Sequence, residues 1–294
     1  MILSNIKKKI GIGTLQFGFD YGVANKTGKL KTKEIKEIKK IAQKNNIKIL
    51  DTAHAYGDCE QRLGKINFNK FDIVTKLPAT KPDKNAYKWV VESVHEALKK
   101  LRVKKIYAMH VHTTKYLLGK NGKQIYKALD DHKKKGIIKK IGVSIYTIKE
   151  LNLILKKFKI DLVLLPFNIF DQRTVNTKTL QKLKKMNIEI HTRSTFLQGL
   201  MVLKKNEIPD KFNKWMPLLN KWDNFSKKLK KPKFEICLQY ALSNPYIDKV
   251  ILGIDSVKQF KQIISKAKFI KLNVKKLDAS KEINLINPSK WSNL

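Results

Sequence analysis

The chain has few cysteines and no long apolar run. Among its 294 residues are two cysteines, Cys59 and Cys237, which lie far apart and outside any Cys-x-x-Cys motif, so no disulfide framework is expected. The apolar stretches, such as residues 160–170, are broken by polar residues and are shorter than the roughly 20 residues of a membrane helix. Three lysines at residues 7–9 stand where a signal peptide needs apolar side chains. We therefore expect a soluble, cytoplasmic protein that does not bind a membrane.

Acidic residues are also scarce. The chain has 24 Asp and Glu against 63 Lys and Arg, a formal net charge of +39. Such an excess can indicate a protein that binds nucleic acid. Here, however, the lysines are spread through nearly every predicted helix and loop, and they greatly outnumber arginine, the better reader of bases and phosphates. We favour solvated helix faces and expect no specific nucleic acid partner. The alternative is a basic protein with a salt-sensitive attraction to polyanions.

The chain does contain a repeated alternation of short apolar runs and helical patterns. The strand-like runs lie at residues 9–13, 47–52, 71–77, 105–110, 140–144, 162–166, 188–192 and 249–252. Helical patterns follow at 32–45, 60–65, 85–101, 122–135, 147–158, 177–186, in a longer region up to 241, and at 256–267. Apolar runs without strict alternation are typical of parallel strands covered by helices on both faces.

Eight such units can form a doubly wound open sheet or a closed barrel. The open sheet that binds dinucleotides carries a Gly-x-Gly-x-x-Gly turn after its first strand. Here the glycines at residues 11, 13 and 18 have the wrong spacing. We therefore predict an α/β fold with one domain, a (β/α)8 TIM barrel. It spans residues 1–294, with a core at about 9–267 and a tail at 274–294.

Four residues at predicted strand ends form a possible proton-transfer site. Asp51 ends the second strand, Tyr56 follows it, Lys76 ends the third strand and His110 ends the fourth. Catalytic residues of such barrels lie at the carboxyl ends of the strands. A lysine beside a tyrosine lowers its pKa, and a carboxylate can pair with that lysine. A histidine can orient a carbonyl oxygen while the tyrosine delivers a proton.

Each of these side chains, taken alone, also has a structural explanation. The aspartate can cap a turn, the tyrosine can pack at the surface and the histidine can belong to the core. Their convergence at adjacent strand ends favours the functional interpretation. His112, just beyond the fourth strand, is predicted to be a substrate-pocket or loop residue. No third ligand accompanies the two histidines, so no metal site is predicted.

Five blocks of the sequence resemble one known family. The most specific is Ile-Leu-Asp-Thr-Ala-His-Ala-Tyr-Gly at residues 49–57, and the others lie at 71–76, 106–110, 141–144 and 165–168. Over about residues 10–267 the chain resembles the aldo-keto reductases. The resemblance implies NAD(P)H-dependent reduction of an aldehyde or ketone, with Tyr56 as general acid/base beside Asp51, Lys76 and His110. Residues 13–22, 25–28 and 193–199 resemble a bacterial branch linked to surface polysaccharides, which suggests a sugar-derived substrate.

The resemblance also implies a cofactor site, with NADP(H) favoured over NAD(H). The implied cofactor-binding residues are Ser144, Arg193, Ser194, Gly253, Asp255, Lys258 and Gln259. Arg193 replaces an aromatic residue that stacks on the nicotinamide, and its planar group can also stack. Asp255 stands where a basic residue often meets the 2′-phosphate, which a carboxylate repels, and Lys258 is the candidate to offset this.

Three departures from the family pattern keep a second interpretation open. Ile145, Leu164 and Ile263 replace polar residues that contact the cofactor in the family. These changes motivate the alternative of a barrel that binds a cofactor or ligand without reducing anything. The sequence predicts neither the substrate nor the oligomeric state.

Overall fold

A computed structural model describes residues 6–25, 27–82 and 85–293. Eight parallel strands pair in chain order and close into a barrel, with β8 hydrogen-bonded back to β1. The strands are β1 (Ile10–Gly13), β2 (Ile49–Asp51), β3 (Asp72–Lys76), β4 (Ile106–Val111), β5 (Ile138–Ser144), β6 (Leu162–Pro166), β7 (Glu189–Arg193) and β8 (Lys249–Gly253). The predicted single-domain (β/α)8 barrel is confirmed.

A principal helix follows each strand and covers the outside of the barrel. These helices are α1 (Thr32–Lys44), α2 (Cys59–Ile66), α3 (Ala86–Leu101), α4 (Gly122–Lys134), α5 (Ile148–Leu155), α6 (Thr179–Lys185), α7 (Lys233–Ser243) and α8 (Val257–Lys266). In α3, Val90, Val94 and Leu101 are buried at helical spacing. The Asn85 side chain accepts a hydrogen bond from the amide of Lys88 (3.0 Å), which caps the first turn.

Additional short segments extend this core. They are helices Leu15–Gly18, Thr114–Leu118, Arg173–Asn176, Met216–Lys228 and Ile283–Ile286, and 3-10 turns Leu197–Val202, Lys205–Glu207, Asp210–Trp215, Lys275–Leu277 and Pro288–Asn293. The long helical region predicted after β7 is therefore several pieces. The tail packs against segments that follow β6 and β7, where Leu285 and Trp291 join a second apolar cluster with Phe212 and Trp222.

The barrel interior has an apolar middle layer. It is formed by Ile49, Val74, Ala108, Leu162, Leu164 and Ile251. This layer separates polar side chains at the two ends of the barrel. In the part of the chain that the structure describes, no helix combines the length and the apolar character needed to cross a membrane.

Candidate active site

A cavity of about 640 Å³ opens at the carboxyl ends of the strands. Its walls come from β1, β2, β3, β5, β6, β7 and β8 and from loops at their carboxyl ends and after β4. This is the end of the barrel where parallel strands present side chains from several elements to one space. Asp51, Tyr56 and Lys76 line the cavity, as the sequence predicts.

Asp51 and Lys76 form a buried ion pair on neighbouring strands. The Lys76 ammonium donates to Asp51 Oδ1 at 2.6 Å and to the carbonyl of Thr52 at 2.7 Å. Burial alone would lower the pKa of Lys76, but the charges of Asp51 and Tyr56 raise it above its usual value. The pairing therefore keeps Lys76 protonated in a place that water barely reaches.

Tyr56 lies on the loop between β2 and α2, above this ion pair. The Lys76 nitrogen is 5.0 Å from the centre of the Tyr56 ring. Gly18 allows the close approach of the β1 loop to the backbone of Tyr56, because a Cβ atom at residue 18 would lie 2.0 Å from its carbonyl oxygen. Burial raises the pKa of Tyr56 more than Lys76 lowers it. The expected net lowering of this pKa is therefore wrong, and the phenol stays protonated at neutral pH.

The structure separates the two histidines of β4 and leaves His110, the predicted catalytic histidine, outside the cavity lining. The His110 ring is fully buried in the barrel interior beside Gly142, and it does not line the cavity. His112, two residues further on, lines the cavity with Tyr56 and Lys76. Residues two apart share one side of a strand, so His112 stands one level above His110 and reaches the space that a substrate would occupy.

Both histidines are neutral near pH 7. Burial, then the charge of Lys76, then that of Arg193 lowers the pKa of His112 to about 4. Burial, Lys76 and His191 hold the pKa of His110 well below its usual value. A neutral imidazole keeps one N–H donor, so His112 can donate a hydrogen bond into the cavity without adding charge.

Six of the seven predicted cofactor residues line the cavity. These six are Ser144, Arg193, Ser194, Gly253, Asp255 and Gln259. Lys258 does not line the cavity. It lies in the first turn of α8, and its side chain is exposed. Asp255 and Gln259 are joined by two hydrogen bonds of 2.8 and 3.0 Å. Asp255 is thus part of the cavity lining and Lys258 lies outside it.

The three apolar departures have different surroundings. Leu164 lines the cavity, so its side chain faces the space where the family places a polar contact. Ile145 is buried, and its carbonyl accepts a hydrogen bond from Arg193 at 3.1 Å. Ile263 is buried in the core under α8. Of the three, only Leu164 changes the cavity lining among the described residues.

Sequence reasoning missed several cavity residues in the loops. Phe19 and Tyr21 follow β1, Tyr146 follows β5, and Gln198 follows β7. The β1 loop and the β7 loop meet over the cavity, where the amide of Val23 donates to the carbonyl of Gln198 at 2.9 Å. Their position after strand ends was the available signal, since loops after strands line the mouth of a barrel.

The cavity offers unpartnered polar groups that suit a polar ligand. Asp51 Oδ2 and Gln16 Oε1 are buried without a hydrogen-bond partner among the described residues. The loop after β7 lies nearby, where Ser194 and Gln198 line the cavity in left-handed backbone conformations, a geometry that can turn N–H groups toward an anion. These features fit a nicotinamide dinucleotide. In the described ranges no group of three or more His, Cys, Asp or Glu side chains is arranged to hold a metal ion.

A closed parallel barrel with an Asp–Lys–Tyr cluster in its mouth defines a class of barrel proteins built for proton transfer at the strand ends. Comparison with known families makes this specific. The model of the aldo/keto reductase family matches residues 9–285. The chain therefore belongs to the aldo/keto reductase family, whose members are oxidoreductases that use NAD(P)H on small carbonyl compounds.

Solved structures share the fold at low sequence identity. The holo form of the aldo-keto reductase AKR11C1 from Bacillus halodurans has a TM-score of 0.71 and 18% identity, covering 94% of this chain and 91% of that one. The glycerol dehydrogenase AKR11B4 from Gluconobacter oxydans has a TM-score of 0.68 and 17% identity, covering 94% and 91%. These likenesses support the fold alone. No curated protein matches the sequence.

Proposed function

We propose that this protein reduces an aldehyde or ketone to an alcohol with NAD(P)H, using Tyr56 as the general acid. The main support is that Asp51, Tyr56, Lys76 and His112 line one cavity at the strand ends. Each has a separate chemical task there, which a packing explanation does not require. The resemblance to a polysaccharide-linked branch makes sugar-derived aldehydes and ketones the first candidates for the substrate.

In this proposal Tyr56 donates the proton that the carbonyl oxygen needs. Its raised pKa keeps the phenol protonated in the free enzyme, and the ammonium of Lys76 stabilises the phenolate that remains after transfer. Asp51 keeps Lys76 charged and oriented through the 2.6 Å contact. A reduced nicotinamide bound in the cavity would supply the hydride for the carbonyl carbon. The phenolate then regains a proton from water.

We assign the histidine of this site to residue 112 in place of His110. His112 lines the cavity and, because its pKa is about 4, it is neutral at pH 7. Its N–H can hydrogen-bond the carbonyl oxygen as negative charge develops there, which stabilises the transition state. His110 lies below, in the barrel interior, and supports the site through packing.

The cofactor would contact the β5, β7 and β8 ends. Ser144 presents a buried hydroxyl for the nicotinamide carboxamide, and Arg193 and Ser194 lie beside it in the cavity wall. At the adenosine end, Asp255 lines the cavity whereas Lys258 does not. A carboxylate without a compensating cation repels a 2′-phosphate. We therefore favour NAD(H) over the NADP(H) that family resemblance suggests.

The test is a direct measurement of binding and turnover. Purified protein is titrated with NADH and NADPH by nucleotide fluorescence, and consumption of each is followed with a panel of aldehydes and ketones that includes sugar-derived ones. We expect binding of both nucleotides, tighter for NADH, and turnover of at least one carbonyl compound. Asp255→Ser should improve NADPH binding relative to NADH. Binding without turnover would favour the ligand-binding alternative, which Leu164 motivates, and binding of neither nucleotide would refute the proposal.

A further inference from the structure

Arginine is rare in this chain, and its positions are informative. Four of the 63 basic residues are arginines, namely Arg62, Arg102, Arg173 and Arg193. Arg102 is exposed. Arg62 donates to two backbone carbonyls, of Phe17 and Leu30. Arg173 holds Asp171 by parallel hydrogen bonds of 2.7 and 2.6 Å. Arg62 and Arg173, which are partly buried, thus each use the several donors of a planar guanidinium group, which a lysine does not have.

Arg193 is the arginine in the cavity wall. Its guanidinium carbon lies 4.1 Å from the centre of the Tyr146 ring, and Nη2 donates to the carbonyl of Ile145 at 3.1 Å. Nη1 makes a long contact of 3.4 Å to the Ser194 hydroxyl. A guanidinium has five N–H donors, so three of them have no partner among the described residues. The group is held in place by its neighbours while part of its donor edge stays unused.

The charge of Arg193 is also unbalanced. Lys76, the other cation of the cavity wall, is paired with Asp51. The carboxylate of Asp255 is hydrogen-bonded to Gln259 instead. No carboxylate of the described residues forms an ion pair with Arg193, in contrast to Arg173. A half-buried cation without a partner carboxylate is costly unless a ligand supplies the negative charge.

An anion bound to Arg193 would lie close to the reacting carbonyl group of the substrate. Arg193 shares the cavity wall with Tyr56 and His112. Its charge helps to lower the pKa of His112 and opposes the rise that burial causes in the pKa of Tyr56; in both groups the effects of burial and Lys76 are larger. A group bound to the edge of Arg193 would therefore be near the carbonyl that Tyr56 protonates. This position suits an anionic substituent of the substrate better than the diphosphate of the cofactor.

We propose that Arg193 binds a carboxylate of the substrate beside its reacting carbonyl, so that the preferred substrates are aldehydes or ketones that carry a carboxylate. This rests on the proposed reductase function. The guanidinium fork matches the two coplanar oxygens of a carboxylate, and Arg193 is a cation of the cavity wall that has no ion-pair partner among the described residues. Stacking on the nicotinamide uses the face of Arg193, whereas carboxylate binding uses its edge, so the two roles are compatible.

The test compares acids with their neutral esters. Glyoxylate is paired with methyl glyoxylate, and para-carboxybenzaldehyde with methyl para-formylbenzoate. The wild type should prefer the acids by about 10- to 100-fold in kcat/KM, as expected for a charge-assisted contact. Arg193→Met should remove this preference by acting on the acids, and Arg193→Lys should keep part of it. Lys149→Met, which removes an exposed cation on α5 near Tyr146, should leave the preference unchanged.

Three results would overturn the inference. One is equal kcat/KM for acid and ester in the wild type. Another is a parallel loss for both in Arg193→Met together with weaker NADH binding by fluorescence, which would make Arg193 a cofactor residue. The third is a preference for glycolaldehyde phosphate over the carboxylates.

A binding measurement separates this inference from the reductase proposal. Calorimetric titration with para-(hydroxymethyl)benzoate and its methyl ester needs no turnover. Tighter binding of the acid that disappears in Arg193→Met would support the Arg193 site even if no carbonyl compound were reduced. Equal binding of both compounds would count against it.

Discussion

Two clusters of the same residue types lie at opposite ends of the barrel interior. The mouth cluster is Asp51, Tyr56, Lys76 and His112, and the floor cluster is Tyr107, Lys140, Glu189 and His191. In each, a lysine contacts a carboxylate close to a tyrosine and a histidine. Residues of the mouth cluster come from the ends of β2 and β3 and from the loops after β2 and β4, whereas those of the floor cluster come from the body or the start of β4, β5 and β7.

Electrostatics do not distinguish the two clusters. Burial raises the pKa of Tyr107 to about 12, and it also raises that of Tyr56. In both lysines, burial lowers the pKa but the neighbouring carboxylate and tyrosine raise it more. Perturbed pKa values are common at functional sites, yet here they also occur in a cluster that faces no described cavity. A shifted pKa alone therefore does not identify the active site.

Access and hydrogen bonding do distinguish them. The Tyr107 hydroxyl donates to Glu189 at 2.7 Å and accepts from Lys140 at 3.0 Å, and Glu189 also binds His191 at 2.7 Å. The carboxylate, the lysine and the tyrosine hydroxyl of the floor cluster thus bind one another, and His191 Nδ1 is the atom of this cluster that is buried without a partner among the described residues. In the mouth cluster, Asp51 Oδ2 has no partner among the described residues, and the tyrosine and histidine face a cavity. Unused hydrogen-bonding capacity beside an open space is the feature that indicates chemistry.

The largest expected effect comes from removing the two tyrosine hydroxyls in turn. Tyr56→Phe should lower kcat by about 10³-fold, because it removes the proton donor, while NADH binding by fluorescence stays unchanged. Tyr107→Phe should change kcat by less than about twofold and act on stability instead. Steady-state kinetics on the best carbonyl substrate give both values. Similar losses of kcat in both variants would remove the distinction between the clusters.

Breaking the floor cluster should act on folding. Glu189→Gln leaves Lys140 and His191 without their buried carboxylate, so we expect a loss of about 3 kcal/mol in the free energy of unfolding, measured by urea denaturation. Glu37→Gln is the matched control, since the 3.0 Å ion pair of Glu37 with Lys261 is exposed and should contribute less than about 1 kcal/mol. If both variants lose the same stability, the floor cluster is not a structural unit.

The two histidines of β4 give the next contrast. His112→Leu should lower kcat/KM by about 10²-fold, the usual effect of losing one donor to a developing oxyanion. His110→Leu should stay within about threefold of the wild type, because His110 faces no cavity and its ring nitrogens have no partner among the described residues. A larger loss in His110→Leu than in His112→Leu would restore the sequence-based assignment.

The two histidines also show which parts of the fold and of the site could be predicted from the sequence. The eight strands were predictable because each is a short apolar run that a helical pattern follows, and Asp51 and Lys76 were predictable because they end such runs. The height of a side chain along the barrel axis was not predictable, because it depends on the tilt and stagger of the strands. β4 continues to Val111, one residue beyond the predicted end. His110 lies below the cavity, and His112 lines it.

Other residues of the molecule could not be predicted from the sequence for different reasons. The position of Lys258 outside the cavity lining was not predictable, because the direction of its side chain depends on the helix phase at the first turn of α8, where it faces solvent. Lys140 could not be singled out among 63 basic residues. Tyr146 and Gln198 lie on irregular loops, whose path follows from tertiary contacts and not from a local pattern. The fold was therefore better predicted than the cavity wall.

The smallest expected effect is the absence of a pH response near neutrality. The mouth cluster needs neutral His112, whose pKa is lowered to about 4, and protonated Tyr56, whose pKa is raised above 10.0. Activity should fall as pH drops towards 4, where His112 gains a proton, and again only at a pH above the usual tyrosine pKa of about 10, because burial raises the pKa of Tyr56. Between about pH 5 and 10, kcat/KM for reduction should be flat.

The floor cluster should not disturb this profile. Burial raises the pKa of Glu189, but His191, Lys140 and Tyr107 together lower it further, so the net pKa lies below the usual value. Its stabilising effect is complete above the unfolded pKa of about 4.3 and is lost only as pH falls below it. Kinetics from pH 4.5 to 10.5, with unfolding midpoints measured in parallel, test this. An inflection near pH 6.5 would mean that the histidine in the cavity titrates normally, contrary to its burial beside Lys76 and Arg193.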